Sequence, residues 1–150
     1  MSAAPCHAKG LPMTMELFYL FLTAILLSLL WLPYIAGQIA YRGLPDREYY
    51  RTEPSTEGLP DWVRRANRAH LNLVEQFGPF AALVLIGAVL DISTEATALW
   101  SAVFFWARVA HAVVYIGGIT VLWARTVAFA VANLSILFYA VEIWRVATQG

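Results

Sequence analysis

The sequence predicts an all-α integral membrane protein built as a bundle of four transmembrane helices, and three observations carry that prediction. Hydrophobic residues make up 60% of the 150-residue chain and charged residues only 13%, against about 25% charged residues in an ordinary soluble domain. The apolar residues gather into four stretches close to the length of about 20 residues that a helix needs to cross a bilayer. Ten Lys+Arg balance ten Asp+Glu, so the chain lacks the basic surface that nucleic acid requires and no nucleic-acid partner is expected. Four spans leave little chain for anything else, and residues 1–150 read as a single membrane domain.

The first span is placed at residues 15–38, around the uncharged run LFYLFLTAILLSLLWLPYIA. That run is too long for the apolar region of a signal peptide, and only Lys9 is basic before it. Residues 41–62 carry three prolines and both charge signs and read as a polar loop. The second span, 63–90, begins in water with WVRRANRAHLNLVEQFGPF and is uncharged from Gln76 to Leu90; the polar turn DISTE ends it. The third, 96–119, is interrupted only by Arg108 and His111 and closes at the pair Gly117 and Gly118. The fourth, 122–144, is interrupted by Arg125 and reaches Glu142, with Asn133 and Ser135 as interhelical hydrogen-bonding groups. Cys6 is the single cysteine, so neither an internal disulfide nor a cysteine metal cluster is available, and no metal is expected.

Loop charge sets the direction of insertion. Arg42, Arg47, Arg51, Arg64 and Arg65 flank or lie in the first loop, the second loop has no Lys or Arg, and Arg125 borders the third. The first and third loops are therefore expected in the cytoplasm and both termini on the non-cytoplasmic side, in a bacterial inner membrane or in the endoplasmic reticulum.

Ionisable groups within a bilayer mark functional sites by default. On the second helix Arg68, Asn72 and Glu75 stand at i, i+4, i+7; on the third, Arg108, His111 and Tyr115 stand at i, i+3, i+7. Because the two helices run antiparallel, Glu75 and Arg108 lie deep, while Arg68 and Tyr115 lie about 10 Å nearer the cytoplasm at 1.5 Å per residue. Glu75 is expected to neutralise Arg108, with Arg125 closing the same end of the bundle. One half of the membrane then holds every group of the cluster, and the other half almost nothing ionisable. Arginines for carboxylates, Glu75 for an ammonium, and Asn72 and Tyr115 for neutral hydrogen bonds suit a small zwitterionic peptide, while a lipophilic small molecule could enter from the bilayer. Arg64 and Arg65 fall within the same arc of about 100° as Arg68, Asn72 and Glu75 and belong to this stripe; the alternative is that Arg64, Arg65 and Arg68 snorkel to lipid phosphates, which makes membrane lipids partners as well. His70 and His111 could in principle ligate haem, but His70 sits about 160° around its helix from Glu75, and no haem is expected.

Three segments taken together resemble the MAPEG family, the membrane-associated proteins in eicosanoid and glutathione metabolism that include microsomal glutathione transferases and prostaglandin E synthase. RANRAHLNLVEQFGPF is similar to the family's second-helix signature through Arg68, Asn72, Glu75, Pro79 and Phe80; ARVAHAVVYIGG resembles its Arg-x-x-His-x-x-x-Tyr run through Arg108, His111 and Tyr115; ARTVAF resembles the start of its fourth helix through Arg125 and Thr126. Leu73 departs from the pattern, standing where many members carry a second acidic residue, and Arg42 is the counterpart for a family arginine near the end of the first helix. The resemblance implies a homotrimer with glutathione as co-substrate, bound between subunits near the cytoplasmic face. It implies Arg68, His70, Asn72, Glu75, Arg108, His111, Tyr115 and Thr126 as binding residues and Arg125 as the catalytic residue that holds the thiolate. The implied activity is that of a glutathione transferase or peroxidase acting on a lipophilic electrophile or lipid hydroperoxide. A non-enzymatic membrane regulator or lipid-binding protein of the same fold is the alternative.

Overall fold

The computed structural model describes residues 12–47, 49–51, 55–119 and 123–149. Cys6, Lys9 and the start of the fourth apolar stretch at Val121 and Leu122 lie outside them. Thr14 opens the bundle: its Oγ1 accepts from the Leu17 amide at 3.4 Å and caps α1, Met15–Leu30. α2, Leu32–Arg42, continues the same span after a break at Trp31. Pro33 explains the break, because it has no N–H to donate to the preceding turn yet is well suited to the first turn of a new helix. The span expected at 15–38 is thus two helices that together run from Met15 to Arg42.

α3, Asp61–Val89, holds helical geometry through Pro79. It buries Val63, Ala66, Ala69, Leu73, Gln76, Phe80, Val84 and Gly87, a single face of steps of three and four. α4, Glu95–Ile116, starts at a capping box in which Thr94 and Thr97 exchange side-chain and backbone hydrogen bonds, and it ends at Gly117. α5, Ala124–Gln149, packs most extensively on α4. These helices make four segments long and apolar enough to cross a membrane, and no strand occurs among the described residues.

The core lies where α3, α4 and α5 meet. Phe80 stacks on Phe104 with ring centroids 4.0 Å apart and meets Tyr139 edge-on at 6.5 Å. Gly87 lets α3 approach α5, since a Cβ there would stand 2.7 Å from Ile143 Cδ1. Outside this core the surface is apolar: Phe21, Trp106, Leu137, Val141 and Trp144 are all more than half exposed. Such a surface suits lipid and neighbouring helices. Ser135 departs from expectation, donating to the Ala132 carbonyl at 2.7 Å within its own helix, and Asn133 is exposed.

Call the two ends of the bundle the loop end, where α2, α3, α4 and α5 meet the connections 43–60 and 117–123, and the Glu16 end, where α1 and α4 begin.

Candidate functional site

Arg108 is the centre from which the site is built. It projects from the buried face of α4, only 1% exposed, and its Nη1 donates to Gln76 Oε1 of α3 at 3.0 Å. Glu75 was the expected partner; it is exposed and forms no hydrogen bond or ion pair with Arg108 among the described residues, although its charge is near enough to act on the guanidinium. The difference is one residue, or about 100° of helix: the buried face runs through Ala69, Leu73 and Gln76, and Arg68, Asn72 and Glu75 each precede one of these positions. Leu73 is fully buried, so an acidic side chain at that position would enter the core. The contact leaves Arg108 Nε, Gln76 Nε2 and His111 Nδ1 buried without hydrogen-bond partners among the described residues. A buried cation with a single neutral acceptor is under-satisfied, and the cluster is short of acceptors.

From Arg108 a chain of ring contacts leads to the loop end. The guanidinium lies 5.9 Å from the Phe129 centroid, His111 sits 5.9 Å from the same ring, and His111 stacks on Tyr115 at 5.4 Å. Arg125 completes the chain with its guanidinium carbon 4.9 Å from the Tyr115 centroid, a cation–π contact that holds an exposed side chain in place. Beside this pair lies a cavity of about 570 Å³ lined by Tyr115, Arg125 and Thr126, with Val114, Ile119 and Trp123 as apolar wall. A second cavity, of about 270 Å³, is lined by Asp61, Arg64, Arg65, Arg68 and Tyr115.

The structure therefore brings Arg108, His111, Tyr115, Arg125 and Thr126 into one array and sets Arg68 beside it through Tyr115. Asn72 is half-buried and Glu75 exposed on the outer side of α3. His70 is half-buried with Nδ1 unpartnered among the described residues, and it lines neither cavity.

Arg65, a member of the polar stripe for which lipid snorkelling was the alternative, borders both cavities. Its Nε donates to the Ile116 carbonyl at the end of α4 at 3.3 Å. Its guanidinium also lies over Gly118, whose φ of +68° favours glycine; a Cβ there would stand 2.9 Å from Arg65 Nη2 and push that side chain aside. The signal for it was the pair Gly117 and Gly118, a place where another chain segment can approach closely. Arg42 is occupied differently: it donates to the Ser55 carbonyl at 2.6 Å and to the Glu57 carbonyl, fastening the connection between α2 and α3.

With this geometry in place, comparison with known families is decisive. The MAPEG family model matches residues 16–144, nearly all of the described chain. The chain belongs to the MAPEG family. It is thus a multi-pass membrane protein of a family in glutathione and eicosanoid metabolism, whose members include glutathione transferases and peroxidases as well as non-enzymes. A comparison with the curated proteins gave no match. Among the described residues no group of three or more His, Cys, Asp or Glu could hold a metal ion.

Proposed function

We propose that this MAPEG protein is a membrane-bound glutathione transferase or peroxidase and that Arg125 stabilises the reacting thiolate. The observation that carries this reading is the Arg125–Tyr115 pair at 4.9 Å, bordering a cavity with a hydroxyl at Thr126 and an apolar wall. A free thiol has a pKa of about 8.5, so a fixed cation beside the sulfur is needed to raise the thiolate fraction at neutral pH. Arg125 stands in the first turn of α5, where the helix dipole also favours an anion.

The division of labour follows from placement. Arg68, Asn72 and Glu75 have the chemistry for carboxylate, amide and ammonium, and they line the outer side of α3. An exposed polar stripe on a membrane helix calls for cover, which favours a homotrimer in which each glutathione lies between two subunits. Tyr115 holds Arg125 at the cavity, and His111 braces Tyr115 from behind. In conjugation the thiolate sulfur attacks the electrophilic carbon and the leaving group departs with its electron pair. In peroxide reduction the sulfur attacks an oxygen, the O–O bond breaks, and a second glutathione returns the first as disulfide, with alcohol and water as products. The arginine-rich first loop is in accord with the loop end in the cytoplasm and the termini on the other side.

Titration of the purified protein with glutathione, followed by thiolate absorbance, tests the proposal. Saturable thiolate at neutral pH is the expected result. Binding without thiolate would leave a binding protein of the same fold, and no binding would remove glutathione from the reading.

A further inference from the structure

The Glu16 end holds a second polar cluster that the proposed function does not use. Glu16, 3% exposed, is buried between α1 and the start of α4. Its Oε1 accepts from the hydroxyls of Thr97 and of Ser93, the latter at 3.1 Å, and among the described residues its Oε2 accepts only from Ser93, at 3.2 Å. Next to it, Tyr139 of α5 is 1% exposed, and its hydroxyl has no hydrogen-bond partner among the described residues. Both side chains line one cavity of about 30 Å³, together with Thr14, Asp91 and Ser93.

We propose that this cavity is a binding site for a single water molecule that accepts the Tyr139 O–H and donates to Glu16 Oε2. The space is large enough to admit a water, which needs at least about 10–15 Å³, and Tyr139, Glu16, Ser93 and Thr14 supply the two to four polar partners a buried water needs. The alternative occupant of a cavity bordered by the carboxylates of Glu16 and Asp91 is a small cation. Hydrogen positions argue against it: a metal ion would turn the Tyr139 proton away from the cavity and leave that donor without an acceptor, whereas water satisfies it. The bridge ties α5 to α1 and α4, so that the end of the bundle farthest from Arg125 is held by a hydrogen-bonded network with few unfilled groups.

A crystal structure of the full-length protein at a resolution that shows solvent tests the proposal directly. We expect one peak within hydrogen-bond distance of both Tyr139 Oη and a Glu16 carboxyl oxygen, and its absence in Tyr139→Phe with the Ser93 and Thr97 contacts retained. A wild-type cavity without that peak would overturn it. Melting temperatures in detergent give an independent measurement. Glu16→Gln and Tyr139→Phe share one bridge, so the double variant should fall by clearly less than the sum of the two single falls; strictly additive falls would exclude the bridge. Exchanging sodium for choline should leave the wild-type melting temperature unchanged, and a sodium-dependent rise would assign the cavity to a cation instead.

Discussion

The two ends of this bundle are both polar inside, and they differ in how completely the polar groups are satisfied. At the Glu16 end the carboxyl accepts from two hydroxyls, Thr94 and Thr97 cap α4, and Thr94 also donates to Glu142 at 3.2 Å. At the loop end Arg108 has one neutral acceptor, and among the described residues neither Arg65 nor Arg125 forms an ion pair. A polar cluster in which, among the described residues, only the Tyr139 hydroxyl is unfilled adds rigidity, while an array of unfilled donors is poised for a ligand that brings its own oxygens. The contrast is the one the proposed function requires, with structure at one end and chemistry at the other. It also corrects the sequence expectation that one half of the membrane holds almost nothing ionisable.

The largest predicted effect breaks the interior of the loop end. Gln76→Leu removes the acceptor of a buried guanidinium and should lower stability by about 3 kcal/mol. Glu75→Leu, one residue away but outward-facing, should leave protomer stability nearly unchanged while weakening glutathione binding. Denaturant unfolding in detergent and glutathione titration of both variants check this. Equal losses of stability would restore Glu75 as the partner of Arg108.

Arg125→Leu comes next and acts on chemistry. Loss of a cation beside the thiol raises its pKa, so the thiolate should appear at a pH about one to two units higher. Turnover at neutral pH should then fall by about tenfold per unit, with a much smaller change in glutathione affinity. A pH series of thiolate absorbance and turnover at saturating glutathione measures both. Full turnover in the variant would move the role to another cation, and Arg65 is better placed for it than Arg42, whose guanidinium is tied to loop carbonyls.

These two predictions separate what the sequence made legible from what it did not. Charge content and the four apolar runs fix the class, because a bilayer leaves helices few alternatives. Depth was legible too: counting 1.5 Å per residue put α3 and α4 in register at the correct turn, since Gln76 is the immediate neighbour of Glu75. Azimuth was not, because choosing between adjacent residues needs the apolar face of α3, and Leu73 and Phe80 set that face at about 100° from the polar stripe. Glu16 escaped notice for a related reason. An acid in the first turn of a helix ordinarily meets solvent and the helix dipole, and only tertiary packing turns this one inward. The break at Trp31 was written in Pro33, yet the uncharged run masked it.

A smaller effect should come from the satisfied end. Thr94→Ala removes the side chain that accepts from the Thr97 amide at 3.1 Å and should cost about 1 kcal/mol, the usual value of a helix cap. Glutathione binding and the pH at which thiolate appears should not move, because the cap lies at the opposite end of α4 from Tyr115. A stability loss accompanied by a shift in the thiolate midpoint would mean that the two ends are coupled along α4, and the contrast between them would have to be abandoned.

The smallest effect is predicted for Arg64, and it sharpens the boundary of the site. Arg64 lines the second cavity beside Arg65 and Arg68, but its guanidinium is paired with Asp61 one turn earlier on α3, and both side chains are more than half exposed. An ion pair in that setting is screened by water and salt and contributes little to stability. Because Asp61 already occupies the charge of Arg64, an incoming carboxylate has more to gain from Arg68, which forms no ion pair among the described residues. Arg64→Gln should therefore leave both stability and glutathione affinity within measurement error of the wild type, while Arg68→Gln weakens binding severalfold. Titrations of the two variants at low and at high salt decide it. A loss in Arg64→Gln as large as that in Arg68→Gln would extend the ligand across the second cavity to the start of α3.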